Sequence, residues 1–270
     1  MNLTIFNVRH GFCAYLIADT NNVMLFDCGQ DDETGFRPFS HLRATGCTGI
    51  ERLVITNFDQ DHVSDLRNVL QTVPVHMFTR NRSFSAEQLK AMKLEAGPLT
   101  SAMEAAIGLH GDYVHPIPNP PDFGILRFES FYNSYPEFTD TNNLSLVSFI
   151  HYDGMGIVIP GDLEREGWLR LLRNQAFCDN LSQVNIFVAS HHGRESGYCE
   201  EVFNVCHPDI FIISDKEVVH DAQQNAYANH ASGVPFNNNT ETRYVLTTRS
   251  DGNIRTSKSR GSGYHIQTGV

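Results

Sequence analysis

Three potential metal-binding side chains lie within four residues of one another, just after an apolar run at 52–56. The segment reads Thr-Asn-Phe-Asp-Gln-Asp-His, and its candidate ligands are Asp59, Asp61 and His62. A sharp backbone turn at a strand end brings such groups into a small volume, and divalent ions bind mixed carboxylate and imidazole sites. The alternative interpretation is a solvated turn in which Asp59 or Asp61 caps the following helix.

Other apolar runs in the chain end in the same kinds of side chain. The run ending at Phe26 precedes Asp27, and the run at 157–160 precedes Asp162. A third run, at 184–189, precedes the pair His191 and His192. Sites in layered α/β folds gather where strands end and loops begin. Capping or surface exposure explains each residue taken singly, whereas four such strand ends together predict a metal site.

The elements that position these residues can be predicted from hydrophobic periodicity. The segment 85–110, rich in helix formers and broken at Gly97-Pro98, predicts two helices, and others are placed at 66–70, 168–172 and 198–205. Strands are predicted at 3–8, 14–18, 23–26, 52–56, 125–131, 144–150, 155–159, 184–189, 210–213 and 244–248, with two more near the C-terminus. This order predicts two sheets packed face to face with helices outside, in a single domain over 1–270.

Composition limits the classes of protein that this chain can be. Asp and Glu number 31 against 20 for Lys and Arg, so the net charge of −11 argues against coating nucleic acid or an anionic membrane by bulk charge. It leaves open a nucleic-acid enzyme whose acidic site is neutralised by divalent ions. No run approaches the ~18 apolar residues of a membrane span, and the N-terminus lacks the features of a signal peptide. With six scattered cysteines, the composition predicts a cytoplasmic protein without a membrane partner.

The order of the motifs resembles that of the metallo-β-lactamase fold superfamily, and within it the soluble hydrolase domain attached to competence DNA-uptake channels of the ComEC type. The matching segments cover nearly the whole chain: Val8-Arg9-His10-Gly11, Asp27-Cys28-Gly29, the segment from Asn57 to His62, the strand start at 142–147, Gly161-Asp162-Leu163-Glu164, His191-His192-Gly193, Ile213-Ser214 and the segment 225–230. The resemblance implies an α/β fold, namely an αββα sandwich of two mixed β-sheets with helices on the outer faces. It also implies a metal-dependent hydrolase.

The resemblance further implies roles for individual residues. It assigns ligands to two divalent ions: Asp59 on the first, Asp61 and His62 on the second, Asp162 as a bridge, and His191 or His192 completing the first site. His230 is a weaker candidate ligand, because the proline that usually follows it is absent. Asp27 would accept hydrogen bonds that orient the ligand loop.

Asn57 departs from the family pattern, which has His at this position. An amide oxygen is a poor ligand for zinc but acceptable to manganese or magnesium, so the sequence favours Mn²⁺ or Mg²⁺ over Zn²⁺. His10, in the turn after the first strand, is a substitute ligand in this interpretation. Replacing Asn57 with His would shift the preference toward zinc, unless Asn57 only caps the turn.

The mechanism implied by these groups is metal-assisted hydrolysis. Two ions about 3.5 to 4 Å apart hold a water and stabilise charge on a phosphoryl oxygen. Asp61 would orient that water or accept its proton, and His192, as the second imidazole of its pair, would protonate the leaving group. Lys216, just beyond the strand at 210–213, would contact a substrate phosphate.

The function that these features favour is a phosphodiesterase or nuclease that acts on DNA, in defence against foreign DNA, together with a protein partner that supplies DNA binding. A basic cluster from Arg249 to Arg260 is the candidate contact for backbone phosphates, and a solvated hairpin is its alternative. Two further readings remain open. One is a hydrolase of small esters or thioesters, and the other is a metal-depleted, non-catalytic binding module.

Overall fold

Two β-sheets lie face to face in the computed structural model, which describes residues 1–115, 117–216, 223–236 and 240–270. The strands are β1 (Asn2–Ile5), β2 (Ala14–Ile17), β3 (Val23–Phe26), β4 (Arg52–Val54), β5 (Phe78–Thr79), β6 (Arg127–Tyr132), β7 (Leu146–Tyr152), β8 (Met155–Ile159), β9 (Ile186–Val188), β10 (Ile210–Ile213), β11 (Val234–Phe236), β12 (Glu241–Arg243), β13 (Val245–Thr247), β14 (Ile254–Lys258) and β15 (Tyr264–Thr268). The helices are α1 (Pro38–Ala44), α2 (Gln60–Val63), α3 (Leu66–Thr72), α4 (Ala86–Ala96), α5 (Ser101–Asp112), α6 (Arg165–Leu171), α7 (Gln175–Leu181), α8 (Gln224–Ala228) and α9 (Thr248–Asp251).

Both sheets mix parallel and antiparallel pairs. Within the described ranges, one has seven strands in the order β15-β14-β1-β2-β3-β4-β5, and the other has six in the order β13-β10-β9-β8-β7-β6. The neighbours β3 and β4 are parallel, and so are β8 and β9. Parallel neighbours end at the same edge of a sheet. The loops that carry the candidate ligands therefore leave their strands side by side.

Three layers of apolar side chains hold the sandwich together. The central layer lies between the sheets and includes Phe26, Ile150 and Ile212. A second layer packs the seven-stranded sheet against α1, α3, α4 and α5, and a third packs the six-stranded sheet against α6 and α7. Strands buried on both faces, such as β8 and β10, are apolar along their whole length, as expected for central strands. The predicted αββα sandwich of two mixed sheets is confirmed.

Several local predictions differ from the structure. The segment 198–205 was predicted to form an α-helix, but it forms short 3-10 turns at Glu195–Gly197 and Glu200–Asn204. Its β-branched valines disfavour a longer helix, and the amide of Val202 instead donates to the carbonyl of Cys199 at 3.2 Å. The predicted strand 244–248 ends at Thr247, where α9 begins. The helices α1 and α7 and the hairpin β11–β12 had no counterpart in the sequence prediction.

None of the helices in the described ranges is both long enough and apolar enough to cross a membrane.

Candidate metal centre

Four of the predicted ligands converge at one edge of the sandwich: Asp61, His62, Asp162 and His192. Asp61 and His62 follow β4 in the seven-stranded sheet, whereas Asp162 follows β8 and His192 follows β9 in the six-stranded sheet. One ligand atom from each lies within 4.8 Å of all the others. The two carboxylates and two imidazoles form a donor set that suits a borderline divalent ion.

His62 is buried, and its two ring nitrogens have different surroundings. Nδ1 donates a hydrogen bond to Oδ2 of Asp27 at 2.8 Å. Nε2 lies 3.0 Å from Oδ1 of Asp162, yet it has no partner with hydrogen-bond geometry in the described part of the chain. A buried polar atom without a partner is costly, and an ion between Nε2 and the carboxylate would remove that cost. The residues present therefore fit a bound metal.

Asp27 fixes the ring of His62 from behind. Its backbone lies in the left-handed region at a φ of 55°, which turns the carboxylate back toward the end of β4. Oδ1 accepts a hydrogen bond from the amide of Thr56 at 2.7 Å, and Oδ2 accepts one from the Thr56 hydroxyl. Burial raises the pKa of Asp27, while His62 and Thr56 oppose this effect by binding the charged form. This arrangement holds the imidazole in one orientation and one tautomer.

His192 completes the cluster from the other sheet. Its Nδ1 donates to the carbonyl of Ser214 at 2.9 Å, so that Nε2 is directed inward. Nε2 lies 3.1 Å from Oδ2 of Asp61 and 3.6 Å from Oδ1 of Asp162. Burial lowers the pKa of His192, but the two carboxylates outweigh it and raise the pKa to about 9. The charged imidazoles in turn hold the pKa of Asp162 well below its usual range, against the effect of burial.

Two glycines allow the close approach of the Asp61 backbone to the neighbouring loops. A Cβ on Gly29 would lie 2.5 Å from the carbonyl oxygen of Asp61, and one on Gly11 would be closer still. Gly11 also has a φ of 124°, which side-chain-bearing residues rarely adopt. The Gly residues of the Arg9-His10-Gly11 and Asp27-Cys28-Gly29 turns therefore have a packing role beside the cluster.

His191 lies next to His192 in sequence but is not one of the four clustered ligands. Both residues have left-handed backbones, with φ of 48° and 56°. Nδ1 of His191 is 2.9 Å from Oγ of Ser196 and 3.3 Å from Oε1 of Glu164. Nε2 is 3.2 Å from Nη1 of Arg194. The structure thus places only one of the two adjacent imidazoles among the four clustered ligands.

Asn57 and Asp59 also have partners outside the cluster. Oδ1 of Asn57 accepts a hydrogen bond from the amide of Asp59 at 2.8 Å, and Nδ2 donates to Oδ1 of Asn142 at 3.0 Å. Asp59 forms an ion pair with Lys93 of α4 and accepts a hydrogen bond from the Thr141 hydroxyl at 2.8 Å. Asp59 occupies the N-cap position of α2, but its side chain makes no capping hydrogen bond. Asp162 does not cap α6 either, because the N-cap of α6 is Glu164.

The other candidate residues lie at different distances from the cluster. Nε2 of His10 is 3.4 Å from Oδ2 of Asp61, and its ring centroid is 4.9 Å from that of His192. His230 is stacked on Phe203 at 4.3 Å and contacts the Tyr198 hydroxyl, outside the four-residue cluster.

The charge around His10 includes two basic side chains, Arg194 and Lys216. Burial lowers the pKa of His10 to about 4, and the charges of His192, Arg194 and Lys216 add to this effect. Lys216 itself is exposed. His10 is therefore a neutral imidazole at the border of the cluster.

Sequence reasoning missed several residues that shape the site. Arg194 follows directly after His191-His192-Gly193, a position that could have drawn attention to it. The hydroxyl of Ser145 accepts a hydrogen bond from the amide of Asp162 at 3.1 Å. Asp215 is buried, and in the described part of the chain neither of its oxygens accepts a hydrogen bond, although Nε of Arg249 lies 3.4 Å away. Burial raises the pKa of Asp215 to about 6.

A cleft of about 580 Å³ opens beside Asp61 and His10. Its remaining lining residues are polar or acidic: Gln30, Asp31, Asp32, Glu33, Gln60 and Ser64. Arg37 pairs with Asp32 and Arg9 with Glu33, which leaves this wall with little positive charge to offer an anion.

The basic cluster near the C-terminus is largely engaged within the protein. Arg249 pairs with Asp215 at 3.4 Å, and Arg260 pairs with Asp19 at 3.3 Å. Lys258 lies 3.8 Å from Asp153. These ion pairs argue against a surface that binds phosphates, and they differ from the alternative of a solvated hairpin in that the cations have partners within the protein.

Comparison with known proteins found one curated relative and several similar structures. ComE operon protein 3 of Bacillus subtilis is 25% identical over 177 residues, which is 64% of this chain and 21% of the relative. The chain thus spans about a fifth of the length of that relative. A mutant of the CmlA β-hydroxylase superposes with a TM-score of 0.55 at 12% identity, covering 94% of this chain and 53% of the other. A HARLDQ-motif mutant of a metallo-β-lactamase from Cronobacter sakazakii covers 68% of this chain and 74% of its own, with a TM-score of 0.44 at 11% identity. No family model matches the chain.

Proposed function

We propose that this chain is a divalent-metal-dependent hydrolase that cleaves phosphodiester bonds in DNA. The proposal is supported by its metallo-β-lactamase-like fold and by its similarity to ComE operon protein 3. The observation that carries the proposal is the convergence of Asp61, His62, Asp162 and His192, with a buried Nε2 of His62 that lacks a hydrogen-bond partner in the described residues. Structural residues at three separate strand ends would not need to leave such an atom unsatisfied.

These four residues would hold one ion, for which Mn²⁺, Mg²⁺ and Zn²⁺ are the candidates. A divalent ion in this position supplies a Lewis acid for a phosphoryl oxygen and lowers the pKa of a water molecule. Asp27 keeps His62 oriented for binding, and the Ser214 carbonyl does the same for His192. Asp59, Asn57 and His191 have other partners, so the second ion expected from the sequence finds no equivalent cluster in the described residues.

Asp61 is the candidate for handling water. Its side chain is 20% exposed, whereas those of His62, Asp162 and His192 are exposed by 5% or less. It faces the open cleft and lies next to neutral His10. A partly solvated carboxylate at the mouth of the site orients a water molecule and accepts its proton. His10 replaces His192 as the imidazole free to exchange protons with substrate, because His192 belongs to the ligand set.

DNA as the substrate is supported by the resemblance to the hydrolase domain of DNA-uptake proteins and by the cations Arg194 and Lys216 beside His10. With a net charge of −11, the chain gains little affinity for DNA from its overall field. A protein partner that supplies DNA binding, and a role in defence against foreign DNA, are consistent with this charge.

The direct test is hydrolysis of single- and double-stranded DNA by the purified protein with Mn²⁺, Mg²⁺ or Zn²⁺, and with a chelator. We expect cleavage that requires metal and one ion bound per chain. The control is Asp179→Ala, which removes an exposed carboxylate on α7. If the protein binds metal and cleaves small esters or thioesters but no phosphodiester, the nuclease proposal is wrong and the protein is a hydrolase of small esters or thioesters. Failure to bind metal would favour the binding module.

A further inference from the structure

Arg194 is an arginine at the rim of the metal centre that the sequence analysis did not assign. Its Nη1 lies 3.2 Å from Nε2 of His191, and its Nη2 lies 3.5 Å from Nε2 of His10. His10 in turn lies 3.4 Å from Asp61. The guanidinium is therefore separated from the ligand cluster by a single imidazole.

The partners of Arg194 do not neutralise it. Both are imidazoles, at 3.2 Å and 3.5 Å, and neither is a carboxylate. In the described part of the chain, Arg194 forms no ion pair with a carboxylate, in contrast to Arg9, Arg37 and Arg165, which each have one. A half-buried guanidinium without a carboxylate partner has charge and donors available for another ligand.

The backbone around Arg194 fixes its position. The amide of Arg194 donates to the carbonyl of His191 at 3.0 Å, and its carbonyl accepts from the amide of Gly197 at 3.1 Å. A Cβ on Gly197 would lie 2.6 Å from the carbonyl oxygen of Ser190, so the turn is tightly packed. The side chain thus projects from an ordered turn, which reduces the entropy lost when an anion binds.

The charged side chains around His10 differ in whether they are paired. His10 lines the cleft next to Asp61 together with Asp32 and Glu33, which pair with Arg37 and Arg9. Arg194 lies 3.5 Å from His10 and has no carboxylate partner in the described residues, so it is a cation that can attract an anionic substrate to this cleft.

We infer that Arg194 binds the anionic group of the substrate and supplies, next to a single ion, the positive charge that a second ion supplies in two-metal sites. The substrate class is a phosphoester, whose non-bridging oxygens match the planar donors of a guanidinium. This inference rests on the proposed function and deepens it. Lys216, which is exposed, is a second cation whose charge acts on His10.

The surroundings of Arg194 disfavour a second ion there. Such an ion next to His191 or His10 would face the guanidinium at short range, and like charges at a few ångströms repel strongly outside bulk water. The groups expected to hold that ion are also engaged, since Asp59 is paired with Lys93 and Asn57 is bonded within its turn. In this inference, the fixed charge of Arg194 takes the place of a second bound metal ion.

The test combines anion binding, metal content and turnover in Arg194→Ala and Arg194→Lys. Inorganic phosphate is titrated by calorimetry into protein loaded with Mn²⁺, and bis(p-nitrophenyl) phosphate is the substrate for turnover. For Arg194→Ala we expect about tenfold weaker phosphate binding, one Mn²⁺ per chain as in the wild type, and kcat/KM lower by about 100-fold. Arg194→Lys keeps the charge without the planar fork and should fall between the two. The matched control is Arg165→Ala, which removes an exposed arginine paired with Glu201.

The outcomes separate this inference from the proposed function. If the wild type cleaves the diester and Arg194→Ala does so equally well with unchanged phosphate affinity, the inference is wrong and the function stands. If the wild type binds two Mn²⁺ ions, the role of Arg194 as a substitute for the second is also wrong. Phosphate binding that depends on Arg194 in a protein without diesterase activity would keep the anion site and overturn the proposed function. Thermal melting checks that both variants fold, and a misfolded alanine variant leaves the lysine variant to decide.

Discussion

The ligand loops have an inner side, which faces the cluster, and an outer side, and the two sides differ in the partners of their side chains. On the inner side, Asp61, His62, Asp162 and His192 crowd together, and the Nε2 of His62 has no hydrogen-bond partner in the described residues. On the outer side, Asn57, Asp59 and His191 each bond to neutral or oppositely charged neighbours within the protein. Candidate metal ligands are therefore recognised by a buried atom without a hydrogen-bond partner and by several ionisable groups close together, rather than by residue type alone.

The largest effect that would test this difference is expected from Asp162→Ala. Asp162 contacts both His62 and His192, so its loss removes the carboxylate common to the two imidazoles. We expect metal binding and turnover to fall by at least about 1,000-fold, since a charged ligand contributes several kcal/mol. Metal titration and a turnover assay measure this, with Asp179→Ala as the matched control. Retention of normal metal affinity would show that the inner cluster does not hold the ion.

Asp27→Asn is expected to act on the same cluster indirectly. The amide has the size of the carboxylate but lacks its charge, and its single oxygen cannot replace both carboxylate oxygens, since Oδ1 accepts from the Thr56 amide and Oδ2 from His62. Loss of a group that orients a ligand typically weakens metal binding by about 10- to 100-fold. Calorimetric titration with Mn²⁺ and Zn²⁺ measures the change. If affinity is unchanged while stability falls, Asp27 serves the fold alone.

Metal removal should lower the melting temperature of the wild type. An ion at 100 times its Kd stabilises the folded state by about 2.7 kcal/mol, or roughly 5 to 10 °C in a chain of this size. The stabilisation of the folded state by the ion should increase from about pH 6 to about pH 9, because metal binding releases protons from its ligands. The raised pKa values of His62 and His192 mean that both imidazoles carry protons that an ion must displace. Melting curves with a chelator and with added Mn²⁺, across this pH range, test the expectation, and pH-independent shifts would contradict it.

The smallest effect is expected from Asn57→His, on the outer side of the loops. The side chain of Asn57 accepts a hydrogen bond from the backbone amide of Asp59 and donates one to the side chain of Asn142. Its substitution should therefore lower the free energy of unfolding by about 1 kcal/mol, as the loss of a capping side chain does. We expect one ion per chain in both proteins and no shift toward zinc. Denaturant unfolding and metal titration measure these quantities. A second bound ion in the variant would show that position 57 alone decides whether the outer side binds metal.

The sequence predicted strand bounds best where a strand is short and apolar. The bounds of β3 and β8 agree with prediction, since a run of apolar residues stops at a turn in both cases. The four clustered ligands were all among the predicted candidates, because parallel strands deliver their ends to one edge. The prediction of a single domain over 1–270 stays a prediction.

What the sequence could not distinguish was the side of the loop on which each residue lies. Asp59 and Asp61 are alike in type, yet the turn into α2 sends one toward Lys93 and the other toward His192. The left-handed backbone of His191 and His192 similarly separates two identical neighbours. Such choices depend on partners from distant segments, such as α4, and periodicity carries no information about those partners.

The division of the cluster between the two sheets has a consequence for local opening of the native state. Asp61 and His192 are 131 residues apart and belong to loops of different sheets. Backbone contacts such as that between the Leu146 amide and the Thr56 carbonyl, at 2.7 Å, already join the sheets at this edge. Without an ion, those contacts and the pairs between carboxylates and imidazoles hold the strand ends together, and their separation is a local opening of the native state. A bound ion would suppress that opening and slow the exchange of amide hydrogens along this edge. The exchange rates at the opposite edge of the sandwich would stay the same.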